Sequence, residues 1–168
     1  MNLFNEVELL NIDISHLDKK KQQTDYKIKY VSEYIRLWAI ISAERVDVKD
    51  INFIDCMCNA GIYMDGDCCT AMEVLNIFIE IANKHKNKNF NLYLNDYDKN
   101  KINIVSKIID YIYGNKVDNL RVYIDNKDVN EYLDELVDDS RIFGMGKSTV
   151  LYIDPFDFGT VIIPKVSE

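Results

Sequence analysis

Apolar residues along this chain alternate between two periods. From Thr24 to Glu44, Ile28, Val31, Tyr34, Ile35, Trp38 and Ile41 recur three and four residues apart, which predicts one long amphipathic helix. Asp50-Ile51-Asn52-Phe53-Ile54-Asp55 is a short apolar run and predicts a buried strand. The helical period returns at Ala71, Val74, Leu75, Phe78, Ile79 and Ala82, with Asp67 as candidate N-cap. Phe90 to Asn95 predicts a second strand, closed by Asp96. Asp98 is placed to cap a helix carrying Ile102, Val105, Ile108, Ile109 and Ile112, and Gly114 stands where a helix end favours a left-handed residue. Leu120 to Ile124 predicts a third strand, Val129, Tyr132, Leu133, Leu136 and Val137 another helix, and Thr149 to Asp154 a fourth strand.

A leading helix followed by strand–helix alternation implies a parallel sheet with right-handed crossovers, a Rossmann-like α/β architecture. The pattern divides into an N-terminal helical segment, 1–48, and a Rossmann-like domain, 49–168. No run of 18 apolar residues occurs, and no basic stretch precedes an apolar one at the N-terminus. The expectation is a cytoplasmic protein without a membrane span. A net charge of -8 over 168 residues argues against a general nucleic-acid coat and leaves room only for a local basic groove. The runs Lys19-Lys20-Lys21 and Lys84-His85-Lys86 read as solvated surface.

Ligands of open α/β sheets bind beyond the carboxyl ends of the strands. The strand ends here are Asp55, Asp96, Asp125-Asn126 and Asp154, four polar termini on one rim. The loop after the first strand, Cys56-Met57-Cys58-Asn59-Ala60-Gly61, has a single glycine. A dinucleotide site needs more, because its backbone N–H groups must reach a pyrophosphate. Asp96 at the second strand end is placed to accept hydrogen bonds from two ribose hydroxyls. Ribose without pyrophosphate points to S-adenosylmethionine. Gly144-Met145-Gly146-Lys147-Ser148-Thr149 imitates the tail of a phosphate-binding loop, but Arg141 stands where that motif needs glycine, and the segment opens a strand rather than a helix. Cys56, Cys58, Cys68 and Cys69 match no zinc spacing and have no nearby histidine, so they read as small buried groups and no metal is expected.

Several of these residues also form a recognisable set. Lys27, Tyr34 and Trp38 lie on the leading helix. Phe53-Ile54-Asp55-Cys56-Met57-Cys58-Asn59-Ala60-Gly61 leads to Tyr63, Asn95-Asp96 closes the second strand, and Asp154-Pro155-Phe156 precedes Gly159 and Ile163-Pro164. Over roughly residues 16 to 168 this set resembles the three-Cys-motif partner family, whose members are similar to class I S-adenosylmethionine-dependent methyltransferases. The family's first loop reads F-I-D-x-F-A-G-P-G, and its fourth strand ends D-P-F-G. The cysteines of its name belong to a genetic partner, not to this chain.

The resemblance implies a cofactor site formed by Asp55, Cys56, Asn59, Gly61, Asp96, Asp125 and Asn126. Asp55 and Gly61 would lie near the methionine moiety, Asp96 at the ribose, and Asp125 or Asn126 at the adenine. Asp154, Pro155 and Phe156 would face the substrate as the catalytic stretch. Two departures accompany it. Cys58-Asn59-Ala60-Gly61 replaces A-G-P-G, and a methyltransferase of this class has three more strands beyond the fourth. The chain therefore reads as an N-terminal portion with its fourth strand as an edge, open to a partner protein or a second chain that completes the sheet. The rival expectation is a catalytically inactive Rossmann-like module that binds a partner, in a mobile-element or defence setting. A nucleic-acid substrate finds no support in the net charge.

Overall fold

The computed structural model describes residues 2–114, 117–154 and 161. Two short elements precede the predicted leading helix: α1 (Phe4–Leu9) and a single 3-10 turn at Ile14–His16. Then follow α2 (Gln22–Glu44), β1 (Asp50–Asp55), α3 (Thr70–Lys84), β2 (Asn89–Asn95), α4 (Lys99–Ile112), β3 (Leu120–Asp125), α5 (Val129–Val137) and β4 (Lys147–Tyr152). The four strands form one parallel sheet in the order β3-β2-β1-β4. This is the Rossmann-like α/β arrangement that the alternation predicts.

The order has a physical consequence. The chain steps outward from β1 to β2 and β3, then returns across β1 to place β4 on its other side. Right-handed crossovers then put helices on both faces. Residues of α2, α3 and α4 pack on one face, around Phe53, Phe78, Phe90 and Leu92. On the other face α5 supplies Tyr132, Leu133 and Leu136 against Ile54 and Tyr93. At the strand ends, Asp55 pairs in register with Leu94 and with Tyr152, and Asn95 pairs with Asp125. No helix among the described residues is long and apolar enough to cross a membrane.

Three local features differ from the pattern. β4 begins at Lys147, not Thr149, because Gly146 turns at φ +79° and its carbonyl accepts from the Lys49 and Asp50 N–H groups. That fixes Lys147 opposite Asp50 and leaves Asp154 two residues beyond the strand. Cys69, not Asp67, is the N-cap of α3. Asp67 instead receives hydrogen bonds from Lys20 and Asn2. On α2, Ile35, Val31 and Trp38 turn to the core, whereas Tyr34 and Ile41 are exposed. This helix carries apolar side chains on two faces, so the three-and-four spacing alone does not choose between them.

Candidate functional site

The crevice lies where the chain changes direction across the sheet, beyond the ends of β1 and β4. In doubly wound sheets this switch point is where ligands bind. A cavity of about 600 Å³ opens there. Its floor is Asp55 and Tyr152, and Asp154, Tyr63, Cys69 and Thr70 add to its wall. The opposite wall comes from far upstream in sequence: Asp18, Lys19, Lys21, and Gln23, Thr24 and Lys27 at the start of α2. Lys27 reaches across to pair with Asp154, tying the leading helix to the segment after β4.

The loop after β1 is shaped by hydrogen bonds to its neighbours. Its first residue, Cys56, donates its N–H to the Tyr152 carbonyl at 3.1 Å, and Cys58 donates to the Asn95 carbonyl at 2.8 Å. The loop therefore sits across the ends of β1, β2 and β4. Asn59 adopts φ +61°, a left-handed backbone that Asn tolerates better than most side chains. Its N–H donates to Asp96 Oδ2 at 2.9 Å, and its side-chain amide donates to Asp18 Oδ2 at 2.6 Å. Asp96 Oδ1 accepts from the Asp98 N–H at 2.9 Å. Asp96 thus braces two loops, one oxygen each. Each carboxylate oxygen keeps a second lone pair for a ligand hydroxyl.

Gly61 does not face the cavity. At φ +84° it sits against α3 and α4, and a Cβ there would lie 3.0 Å from Val105 Cγ2 and 3.3 Å from Met72 Cγ. Its glycine requirement comes from helix packing. Cys56 is buried on the α5 side with Ile54 and Tyr132. Asn126 donates to the carbonyls of Asp96 and Tyr97, both at 2.8 Å, bracing the β2 and β3 ends. Asp125 borders a second cavity, of about 800 Å³, along the free edge of β3 and under α5. Of the sequence-predicted set, Asp55, Asn59 and Asp154 line the switch-point cavity. Asp96 and Asn126 do not line it: Asp96 holds the Asn59 N–H behind it, Asn126 ties the β2 and β3 ends, and Pro155 and Phe156 lie outside the described residues.

The charges around the cavity are mixed, with Asp18, Asp55 and Asp154 set against Lys19, Lys21 and Lys27. Asp55 is fully buried, and burial pushes its carboxyl up to about 7, with Asp154 and Asp96 adding like charge and the Met57 N–H and Lys27 opposing. Burial also opposes ionisation of Asp18, but hydrogen bonds from Lys101 and Asn59 outweigh it and hold that carboxyl below its ordinary value. Tyr63 and Tyr152 are pushed upward by burial and stay neutral. The cysteines are free and buried. Burial raises Cys56 and Cys69 to about 12 and Cys58 well above its ordinary value, so none presents a thiolate at neutral pH. No group of three His, Cys, Asp or Glu among the described residues could hold a metal ion.

Sequence reasoning missed Asp18, Thr70 and Tyr152, and gave Lys27 no place at the site. The available signal was helical spacing: Gln23 and Lys27 stand one turn apart and share a face. That the face turns toward Asp154 depends on how α2 packs, which no local pattern states. No protein-family model matches this chain, and no curated protein matches it.

Proposed function

We propose that this chain binds S-adenosylmethionine at the switch-point cavity and is a protein of the methyltransferase type. The observation that carries the reading is the position of this cavity beside a loop with no glycine cradle for phosphate. Its size, about 600 Å³, is in the range of small-molecule sites. Its chemistry suits the group as well, since a bound ammonium or sulfonium would favour the ionised form of Asp55 and pair with it. The cofactor supplies an electrophilic methyl group on cationic sulfur.

The chain's own part is binding and orientation, which is what an in-line displacement chiefly needs. Asp55 would meet the cationic end in a buried setting, where charge pairing is strong. Lys27 would reach a carboxylate from the other wall. Asp96, beside the Asn59 loop, would accept from ribose hydroxyls. Asp154 would stand at the substrate side of the cavity.

Calorimetry with S-adenosylmethionine and S-adenosylhomocysteine, and with ADP as control, tests the reading. Binding of the first two without ADP is expected. Asp96→Asn should weaken both by about tenfold or more, the size of one charge-assisted hydrogen bond. Unchanged affinity in that variant would remove Asp96 from the ribose site. One observation favours the rival: among the described residues β4 pairs only with β1, which leaves its outer edge free for a partner chain. Folded protein that binds neither adenosyl compound would put the partner-binding module first.

A further inference from the structure

The lysine run that reads as solvated surface lies at the mouth of the cavity. Lys19 and Lys21 line it, followed by Gln23 and Lys27 from the first turns of α2. Tyr30 and Tyr34 stand seven residues after Gln23 and Lys27 respectively, two turns along the same face. Tyr26, Tyr30 and Tyr34 follow at four-residue intervals, about 6 Å of helix rise apiece. They are 62%, 71% and 61% exposed, so their rings add little to the core. Across Lys19 to Tyr30 there are five lysines against one aspartate, in a protein whose net charge is -8.

Two of those lysines are already engaged, Lys20 with Asp25, Asp65 and Asp67, and Lys27 with Asp154. Lys19, Lys21 and Lys29 have no carboxylate partner among the described residues. Flat aromatic faces at even spacing, with Lys19 and Lys21 at the cavity mouth and Lys29 on the neighbouring pocket beside Glu33 and Glu73, match one ligand chemistry. Bases stack on the rings, and phosphates meet the cations.

We propose that this face of α2 binds single-stranded nucleic acid and leads one nucleotide into the switch-point cavity as the methyl acceptor. The acceptor role rests on the cofactor reading above; the binding surface does not. In that step a nucleophilic nitrogen or oxygen of the nucleotide bonds to the methyl carbon. The carbon–sulfur bond breaks with its electron pair going to sulfur, and the acceptor's proton passes to water. A duplex would not fit, because its bases are already stacked on one another. The protein's overall negative charge confines phosphate contact to this patch. With Lys19, Lys21 and Lys29 available the expected salt dependence is shallow, a log–log slope of affinity against salt of about -2.

The test is fluorescence anisotropy of labelled oligouridine and oligothymidine, about 12 nucleotides long, from about 50 to about 200 mM salt. The whole chain should bind at least one of them, and the preference between them tells RNA from DNA. Tyr30→Ala and Tyr34→Ala should each weaken binding about tenfold, the worth of one stacked base. Both should leave the melting temperature and the calorimetric affinity for S-adenosylmethionine unchanged. Lys19→Gln with Lys21→Gln should flatten the salt slope. No binding by folded protein, or full binding by both tyrosine variants, overturns the proposal. So does a Tyr30→Ala variant that only converts a dimer to a monomer, since the face then joins two copies of the chain. Oligonucleotide binding without S-adenosylmethionine binding would support the surface and overturn the cofactor reading instead.

Discussion

Asp55 is held in surroundings that disfavour its charged form, so its protonation reports on folding. Its carboxyl sits at about 7 in the folded protein, well above its ordinary value of 3.8. Between those limits the native state keeps a proton that the unfolded chain has given up, so stability falls as pH rises from about 4 to about 7. The slope from this group is at most about 1.4 kcal/mol per pH unit. The charged groups that set it are Asp154, Asp96 and Lys27. Carboxyls with lowered values, such as Asp18 and Asp67, act in the opposite sense and only below their own ordinary range. Urea midpoints at pH 5 and pH 8 test this. The wild type should be less stable at the higher pH, and Asp55→Asn should lose most of that difference. An equal pH response in the variant would mean that Asp55 is ionised and compensated in the native state. The same residue was legible from sequence as a strand end, whereas its burial was not: a strand-terminal Asp reads alike whether a loop covers it or water does.

At the scale of elements, what the sequence made legible was whatever depends on neighbours within a few residues. The strands β1, β2 and β3 are compact apolar runs. Their predicted spans agree with the structure to within a residue at either end. Asp98 caps α4 as its spacing predicts, accepting from the Asn100 N–H at 2.8 Å. Replacing it with Ala should cost about 0.5–2 kcal/mol, read as a lower urea midpoint with unchanged slope. A cost near zero would show that the first turn of α4 is satisfied by water. What was not legible depends on distant partners. Ser148 is polar, yet it lies inside β4, because Trp38 Nε1 donates to its hydroxyl at 3.0 Å and Ser42 lies 2.8 Å away. Asp67 looks like a cap from sequence, but Lys20 and Asn2, both remote in sequence, engage its carboxylate. α2 is apolar on opposite sides, and only the finished core tells which stripe is covered. The candidate site divides the same way: its strand-end floor is readable, and its α2 wall is not.

At the scale of the whole molecule, the switch-point cavity and the cavity under α5 make opposite predictions for the same ligand. The switch-point cavity joins four stretches of the chain: residues 18–27, 55–59, 63–70 and 152–154. The segment before α2 is anchored there by Leu17, which is buried in the main core, and by Asp18, which holds both Asn59 and Lys101. The second cavity draws on β3, α5 and the segment to Ile142. A ligand that binds only the native state stabilises it by about 2.7 kcal/mol at a hundredfold excess over Kd. For a chain of this size that raises the melting temperature by about 5–10 °C. Saturating S-adenosylmethionine should produce such a shift, and hydrogen exchange should slow together at residues 18–27 and 55–59. These stretches share no secondary structure and are joined by the Asp18–Asn59 hydrogen bond, so joint slowing beyond that of the free protein is the mark of a ligand between the walls. Slowing confined to residues 122–142 would place the ligand beneath α5 and detach it from Asp55 and Lys27. The proposed acceptor path along α2 would then lead to a cavity that holds no methyl donor.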